Sequence, residues 1–259
     1  LLTGAAVDGA AAPGLLDRGS WVEYHAAWAR SVVVGRGRLG GIPVATVVVE
    51  TRTTHAAVPA DPASPSSEAL RVPQAGQVWF PDSAFKTAQF VRDVSRGEAL
   101  PLLILANWRG FSGGQRDLYD AVLKFGADIV DALRVFRQPV IVYLPPHGQL
   151  RGGSWVVVDT AINARRIEMY ASPSARGGII EPEGLVAVKF RRPALLELAN
   201  RILGPAAGAP DEARVALARQ VACAFADLHD RPGRMRALGV VRAVVEWRDA
   251  RRVFFHRLR

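Results

Sequence analysis

Residues 100–145 read LPLLILANWRGFSGGQRDLYDAVLKFGADIVDALRVFRQPVIVYLP, and the fold class follows from this stretch. It opens on LPLLILAN, a short continuous apolar run of the kind found in strands buried on both faces. After a Gly-rich loop, Leu118, Val122, Phe125, Ile129, Leu133 and Phe136 recur at intervals of 4, 3, 4, 4 and 3. That spacing predicts one apolar stripe on a long helix. PVIVYLP then supplies a second buried strand. Strand, Gly-rich turn and helix recur between about residues 40 and 190, which predicts an α/β fold with helices packed on sheets.

The reading extends outward from there. SVVV from Ser31 and IPVATVVVE from Ile42 are strands rich in β-branched residues, and Pro59 to Pro73, with four prolines, is a surface loop. The segment from Pro81 to Gly97 is a helix with Pro81 in its first turn, Asp82 or Ser83 as cap and Gly97 as a left-handed stop. Beyond PVIVYLP come a loop into GGSWVVVD, a short stretch INARRIEMYA and a strand at GLVAVKF. Everything after Pro193 reads as helical, with helices at Asp211–His229 and Pro232–Arg259. The expected organisation is a small-residue linker or lead-in at 1–17, a main body at 18–203 and a helical extension of the same domain at 204–259. Leu1 is not an initiator Met, and the last helix lacks a C-cap, so a piece of a longer polypeptide is expected.

Composition narrows the function classes. The 259 residues are 49% hydrophobic and 22% charged, enough chain for a large core. No apolar run is long enough for a membrane span. Cys223 is the single cysteine, and the five histidines form no metal-binding pair, so no metal site is expected. The net charge of +9 favours anionic partners. Thirty of the 33 basic residues are arginine, spread along the chain rather than gathered into a stripe, which speaks against nucleic-acid binding.

Three Gly-rich turns lie where strands end: NWRGFSGGQRD (107–117), RGGSW (151–155) and EPEGL (181–185). In open α/β sheets ligands gather beyond the carboxyl ends of the strands. Gly113 and Gly114 precede a helix N-terminus, and Gly152-Gly153 lets backbone amides approach a ligand, as an oxyanion hole requires. There is no P-loop, no GxGxxG opening a βαβ unit and no nucleophile elbow. His147 and His229 read as surface or capping histidines. On their own, such turns are more often simple tight turns than ligand sites.

At these loops the chain resembles a known family. GQVWFPDSAFKTAQ (76–89), LILANWRGFSGGQRD (103–117), LRGGSWVVVD (150–159), EPEGLVAVKFRR (181–192), FADLHDRPGRM (225–235) and VVVGRGRLGGIPVATVVVETRT (32–53) are similar to the carboxyltransferase region of single-chain acetyl-CoA carboxylases. The stretch from Ile202 to Arg219 is shorter than in that family. The resemblance implies a crotonase-like fold of repeated ββα units, of which this chain is the C-terminal half. It implies a reaction that moves a carboxyl group from carboxybiotin to acetyl-CoA, giving malonyl-CoA for fatty acid synthesis.

The implied roles are residue by residue. Gly153 and Ser154 amides hold the biotin ureido oxygen, and Arg109 engages the carboxyl group in transit. Trp79, Phe111, Gly113, Gly114, Glu181 and Gly184 line the biotin-side cleft, and Lys189 and Arg191 meet the coenzyme A phosphates. For Trp79 and Phe111 the rival is ordinary core packing. Met169 and Met235 are the only methionines and neither adjoins a Lys, so no biotin attachment site is present and the carrier domain lies outside this chain. ATP and a divalent metal belong to other domains of the parent enzyme. The implied partners are acetyl-CoA or malonyl-CoA, the N-terminal half of the carboxyltransferase, the carrier domain and a second copy in a homodimer, in the cytoplasm or alternatively a plastid. A non-catalytic CoA-binding or dimerisation module of the same fold is the alternative, and an Arg-rich nucleic-acid binder comes last.

Overall fold

Alternating burial along the strands places two apolar layers on opposite faces of one sheet. Val140, Val142 and Leu144 face one cluster with Leu102 and Ile104, while Ile141 and Tyr143 face the other with Leu103 and Leu105. These residues belong to a mixed sheet of seven strands in the order Ala243–Val244, Ile167–Ala171, Val140–Leu144, Leu102–Leu105, Ile42–Val49, Val32–Leu39 and Val22–Tyr24. The first five run parallel and the last two add on as antiparallel neighbours. This computed structural model describes residues 14–204 and 210–259, together with Leu2 and a strand pair at Ala5–Val7 and Ala10–Ala12.

Each inner strand continues into a second, shorter ladder. After Ile42–Val49 the chain returns as Val78–Trp79, after Leu102–Leu105 as Gly110–Phe111, after Val140–Leu144 as Gln149–Arg151, and after Ile167–Ala171 as Arg176–Gly178. Val78–Trp79 pairs in parallel with Gly110–Phe111, Trp108 bridges Leu150, and Gln149–Arg151 pairs in parallel with Arg176–Gly178. A helix then closes each unit: Pro81–Arg96, Gln115–Tyr119 with Val122–Arg134, Gly152–Val156, and Pro182–Lys189. The repeat is therefore strand, cross-strand, helix, the ββα unit of a crotonase-like fold. Its consequence is that all the Gly-rich turns stand side by side beyond the carboxyl ends of the main sheet.

Several elements differ from the sequence reading. The stripe from Leu118 to Phe136 is divided between two helices, because Ala121 takes φ 64° at their junction. Val122, Ile129, Leu133 and Phe136 are buried, whereas Leu118 falls before the break and is exposed. GLVAVKF is the helix Pro182–Lys189 rather than a strand. Pro182 starts it in the first turn, and it lies against the long helix Asp211–His229 with only Val186 of its residues buried, so one face suffices. GGSWV also opens a helix, and the strand Ile167–Ala171 emerges within INARRIEMYA. The proline-rich loop is shorter than expected, since Leu70–Gln74 pairs with Thr54–Val58. Gly97 stops its helix at φ −91°, outside the left-handed region, and the cap is a Ser83 hydroxyl accepting from the Phe80 amide.

The two ends depart furthest from the expected organisation. The expected lead-in at 1–17 falls partly outside the described residues, but Leu15 and Leu16 are buried in the second cluster and Asp17 accepts from the amides of Gly40 and Gly41. Ala243–Val244 is an edge strand of the main sheet, and Trp247–Leu258 covers its second face, with Phe254 fully buried between Tyr143 and Tyr170. Pro182–Lys189, Arg192–Leu203 and Asp211–His229 pack around a third cluster of Val186, Leu195, Ala199, Val215, Ala218 and Ala222. The middle of the shortened stretch, 205–209, lies outside the described residues. Replacing Phe254 with Ala removes the centre of the second layer. The expected loss is about 3–5 kcal/mol of stability, read as a lower denaturant midpoint at unchanged slope.

Candidate active site

The ladder brings NWRGF, RGGSW and GQVWF together through main-chain bonds. The Arg109 amide donates to Gln77 O at 2.8 Å, Ser112 to Trp79 O at 2.8 Å, and Arg151 to Trp108 O at 2.9 Å. Asn107 ties the same three segments with one carbonyl oxygen, which accepts from the Gln77 side-chain amide and, at 2.9 Å, from the Gln149 main-chain amide. A turn held this way by neighbours on both sides has little freedom to shift.

Arg109 projects from this frame and meets Glu181. Its Nε donates to Glu181 Oε1 at 2.6 Å, and a second guanidinium nitrogen contacts the same oxygen. The pair is open to solvent, with 49% of the Arg109 side chain and 32% of Glu181 exposed. Two residues that the sequence placed separately, 72 positions apart, are thus one ion pair. The Arg109 fork is a carboxylate-binding group that here holds a carboxylate of its own chain.

Phe111 and Gly153 form the second contact. Phe111 is half-buried, and a Cβ added to Gly153 would fall 3.3 Å from its Cδ2. Gly152 takes φ +50° as the helix Gly152–Val156 begins, so the turn needs glycine at that position. The amides of Gly153 and Ser154 lie in the first turn, where helix geometry gives N–H groups no acceptor within the helix. Ser154 itself is fully buried, and its hydroxyl has no hydrogen-bond partner among the described residues.

The other expected residues are distributed as follows. Trp79 does not line a cleft: it is wholly buried and stacked on Trp108 with centroids 4.1 Å apart, so the core-packing alternative holds for it. Gly113 stands in open space and Gly114 is the N-cap of Gln115–Tyr119. Gly184 is exposed on the helix that follows Glu181, with Ile180 4.0 Å from where its Cβ would be. Lys189 and Arg191 are exposed where that helix ends rather than at a strand end, and no side-chain hydrogen bond or ion pair among the described residues joins them to Arg109. Lys189 instead borders an apolar cavity of about 350 Å³ with Phe190, Phe225 and His229.

Sequence reasoning passed over a set of charges behind the turns. Arg176 Nε donates to Asp227 Oδ1 at 2.6 Å, Arg231 Nε donates to Asp227 Oδ2 at 3.0 Å, and Arg151 donates to Asp230. Arg151, Arg176, Asp227 and Arg231, with Glu181, line an open cavity of about 430 Å³. The signal available was the block FADLHDRPGRM, whose two acidic residues at 227 and 230 lie one helical turn apart. The Arg176 guanidinium, joined by Arg231, holds the Asp227 carboxyl below its ordinary value. A carboxyl whose folded pKa is depressed stabilises the fold above its unfolded value and loses that contribution as pH falls through the folded one. The melting temperature of Asp227→Asn should therefore lie below that of the native chain at neutral pH, and the gap should close as melts are taken below about pH 4.

Among the described residues, no helix is long and apolar enough to cross a membrane and no cluster of His, Cys, Asp or Glu could hold a metal. The repeated ββα units, with Gly-rich turns gathered beyond the strand ends, define a crotonase-like fold. Residues 10–259 match the model of the carboxyl transferase domain, and the chain belongs to that family. It is 52% identical to acetyl-CoA carboxylase of Saccharomyces cerevisiae and 51% identical to that of Schizosaccharomyces pombe, each over 95% of this chain. It spans 12% of the length of each of those relatives. Among solved structures, the fold matches the beta subunit of P. aeruginosa geranyl-CoA carboxylase with a TM-score of 0.68 at 17% identity, over 95% of this chain and 39% of that one. Transcarboxylase 12S matches with a TM-score of 0.68 at 23% identity, over 93% of this chain and 39% of that one.

Proposed function

We propose that this chain is the C-terminal half of an acetyl-CoA carboxylase carboxyltransferase, which moves a carboxyl group from carboxybiotin to acetyl-CoA and so gives malonyl-CoA. The observation that carries the reading is the convergence of the three Gly-rich turns: Arg109 reaches Glu181, and Phe111 closes over Gly153. Biotin, held on a carrier domain, would supply the carboxyl group and the basic ureido nitrogen. The residues present suit such a group, since first-turn amides stand beside the edge of an aromatic ring.

The Gly153 and Ser154 amides would donate to the ureido oxygen, where negative charge grows during transfer. Arg109 would orient the carboxyl group with its planar fork. Its exposed pair with Glu181 is of a kind worth only about 0–1 kcal/mol, so an incoming carboxylate can replace Glu181 at little cost. Gly113, Gly114 and Gly184 leave room around the cleft, and Lys189 and Arg191 offer cations to the coenzyme A phosphates. ATP and a divalent metal would serve the charging of biotin on other domains. Location in the cytoplasm is the reading for the parent protein, although one yeast relative, 47% identical, is described as mitochondrial.

Exposed apolar residues support a half-site. Ile179 is 83% exposed, and Val156, Val188 and Phe225 are also open to solvent around the turns. The N-terminal half, which would carry the facing wall, is the natural cover for them, within a homodimer of the parent enzyme. In the natural full-length polypeptide, Arg109→Ala should lower kcat/KM for malonyl-CoA formation by about 10²–10³, the effect of losing one charge-stabilising donor. Wild-type turnover in that variant would overturn the reading in favour of a non-catalytic module. Residues 1–259 alone should give no carboxyl transfer from free carboxybiotin, and adding the N-terminal half should restore it.

A further inference from the structure

The RGGSW turn rests on a buried charge pair contributed from the far end of the chain. Arg151 is the residue before Gly152, and only 3% of its side chain is exposed. Its Nη1 donates to Asp230, whose side chain is 13% exposed, and to Ile180 O at 3.4 Å, while its Nε donates to Gln149 Oε1 at 3.1 Å. Asp230 follows the helix Asp211–His229, and its main-chain oxygen accepts from the Gly177 amide at 3.0 Å. Gly178 lies directly over the pair: a Cβ there would meet Asp230 Oδ1 at 2.7 Å and Arg151 Nη1 at 3.0 Å.

From this arrangement we infer that Arg151 and Asp230 are positioning residues, which set the aim of the Gly153 and Ser154 amides toward the oxyanion. The inference rests on the function proposed above. A buried ion pair is poor evidence of stabilisation, because desolvation offsets most of its attraction. What the pair does supply is direction. Two successive glycines leave the 152–153 backbone with few preferred angles of its own. Arg151 is the last residue before them whose side chain is anchored, and its anchor carries the position of the helix Asp211–His229 to the turn. An oxyanion hole acts through preorganisation, so a small drift of its donors weakens the transition state more than the bound substrate.

The test uses the natural full-length polypeptide carrying Asp230→Asn, Arg151→Lys or Gly178→Ala. The first two remove the charge or the fork at nearly constant volume, and the third keeps both charges while pressing them apart. Each should lower kcat by about 10- to 100-fold, the effect of a misplaced catalytic group, with KM for acetyl-CoA within about twofold of wild type. Activity is normalised to the folded fraction, so a merely structural role appears as a lower melting temperature with kcat per folded molecule unchanged. That result in the variants would overturn the positioning role while leaving the proposed function intact. If both charge variants fail to fold, Gly178→Ala decides. A wild-type polypeptide with no carboxyl transfer would overturn the function and this inference together.

Discussion

The indole of Trp79 lies flat on that of Trp108, 4.1 Å between centroids and 13° from parallel, with both rings sealed from solvent. The two residues come from consecutive ββα units, so the stack binds one repeat to the next at the point where main sheet becomes ladder. Phe111 continues it, stacked 6.1 Å from Trp79, and its other edge meets Gly153. A line of contacts thus runs from the deepest core to the turn that carries the candidate oxyanion donors. Buried aromatic rings contribute large apolar areas and have few rotamers, which makes them good rulers as well as good glue.

Charge is used differently at the two ends of the molecule. Lys86, on the helix Pro81–Arg96, is almost fully buried, with an ammonium group that donates to four main-chain oxygens, those of His25, Trp28, Ala29 and Val32. Burial lowers its pKa, and the carbonyl dipoles stand where a carboxylate would otherwise be expected. That contact pins a loop with positive φ at His25 and Ala29 against the first helix. At the turns, by contrast, arginines face carboxylates in pairs that differ in exposure: Arg109–Glu181 is open and exchangeable, while Arg151–Asp230 is shut in.

The sequence showed four strands of the main sheet, Val32–Leu39, Ile42–Val49, Leu102–Leu105 and Val140–Leu144, because residues buried on both faces leave continuous apolar runs. It passed over Val22–Tyr24, Ile167–Ala171 and Ala243–Val244. It showed the turns because glycines there serve close approach. It misjudged GLVAVKF, since a helix with one buried Val and a strand look alike over so few residues. Trp79 followed from family resemblance to the wrong side of the wall, because an aromatic residue beside a cleft can line it or support it. The break at Ala121 left no mark, as the apolar spacing continues across it. The pairs of Arg176 with Asp227 and of Arg151 with Asp230 join positions 51 and 79 residues apart. Local periodicity carries no information over such distances.

The second face of the main sheet is closed by both ends of the described chain at once. Arg251, in the last helix, donates to Leu15 O at 2.9 Å and pairs with Asp17, while Phe254 fills the centre between them and the strands. During synthesis these partners are more than two hundred residues apart, and the helix leaves the ribosome long after Leu15 and Asp17. A nascent chain can assemble its helix-covered face early, yet the opposite face stays bare until residue 258 has cleared the exit tunnel. Until then Leu103, Leu105, Ile141 and Tyr143 have no helix over them.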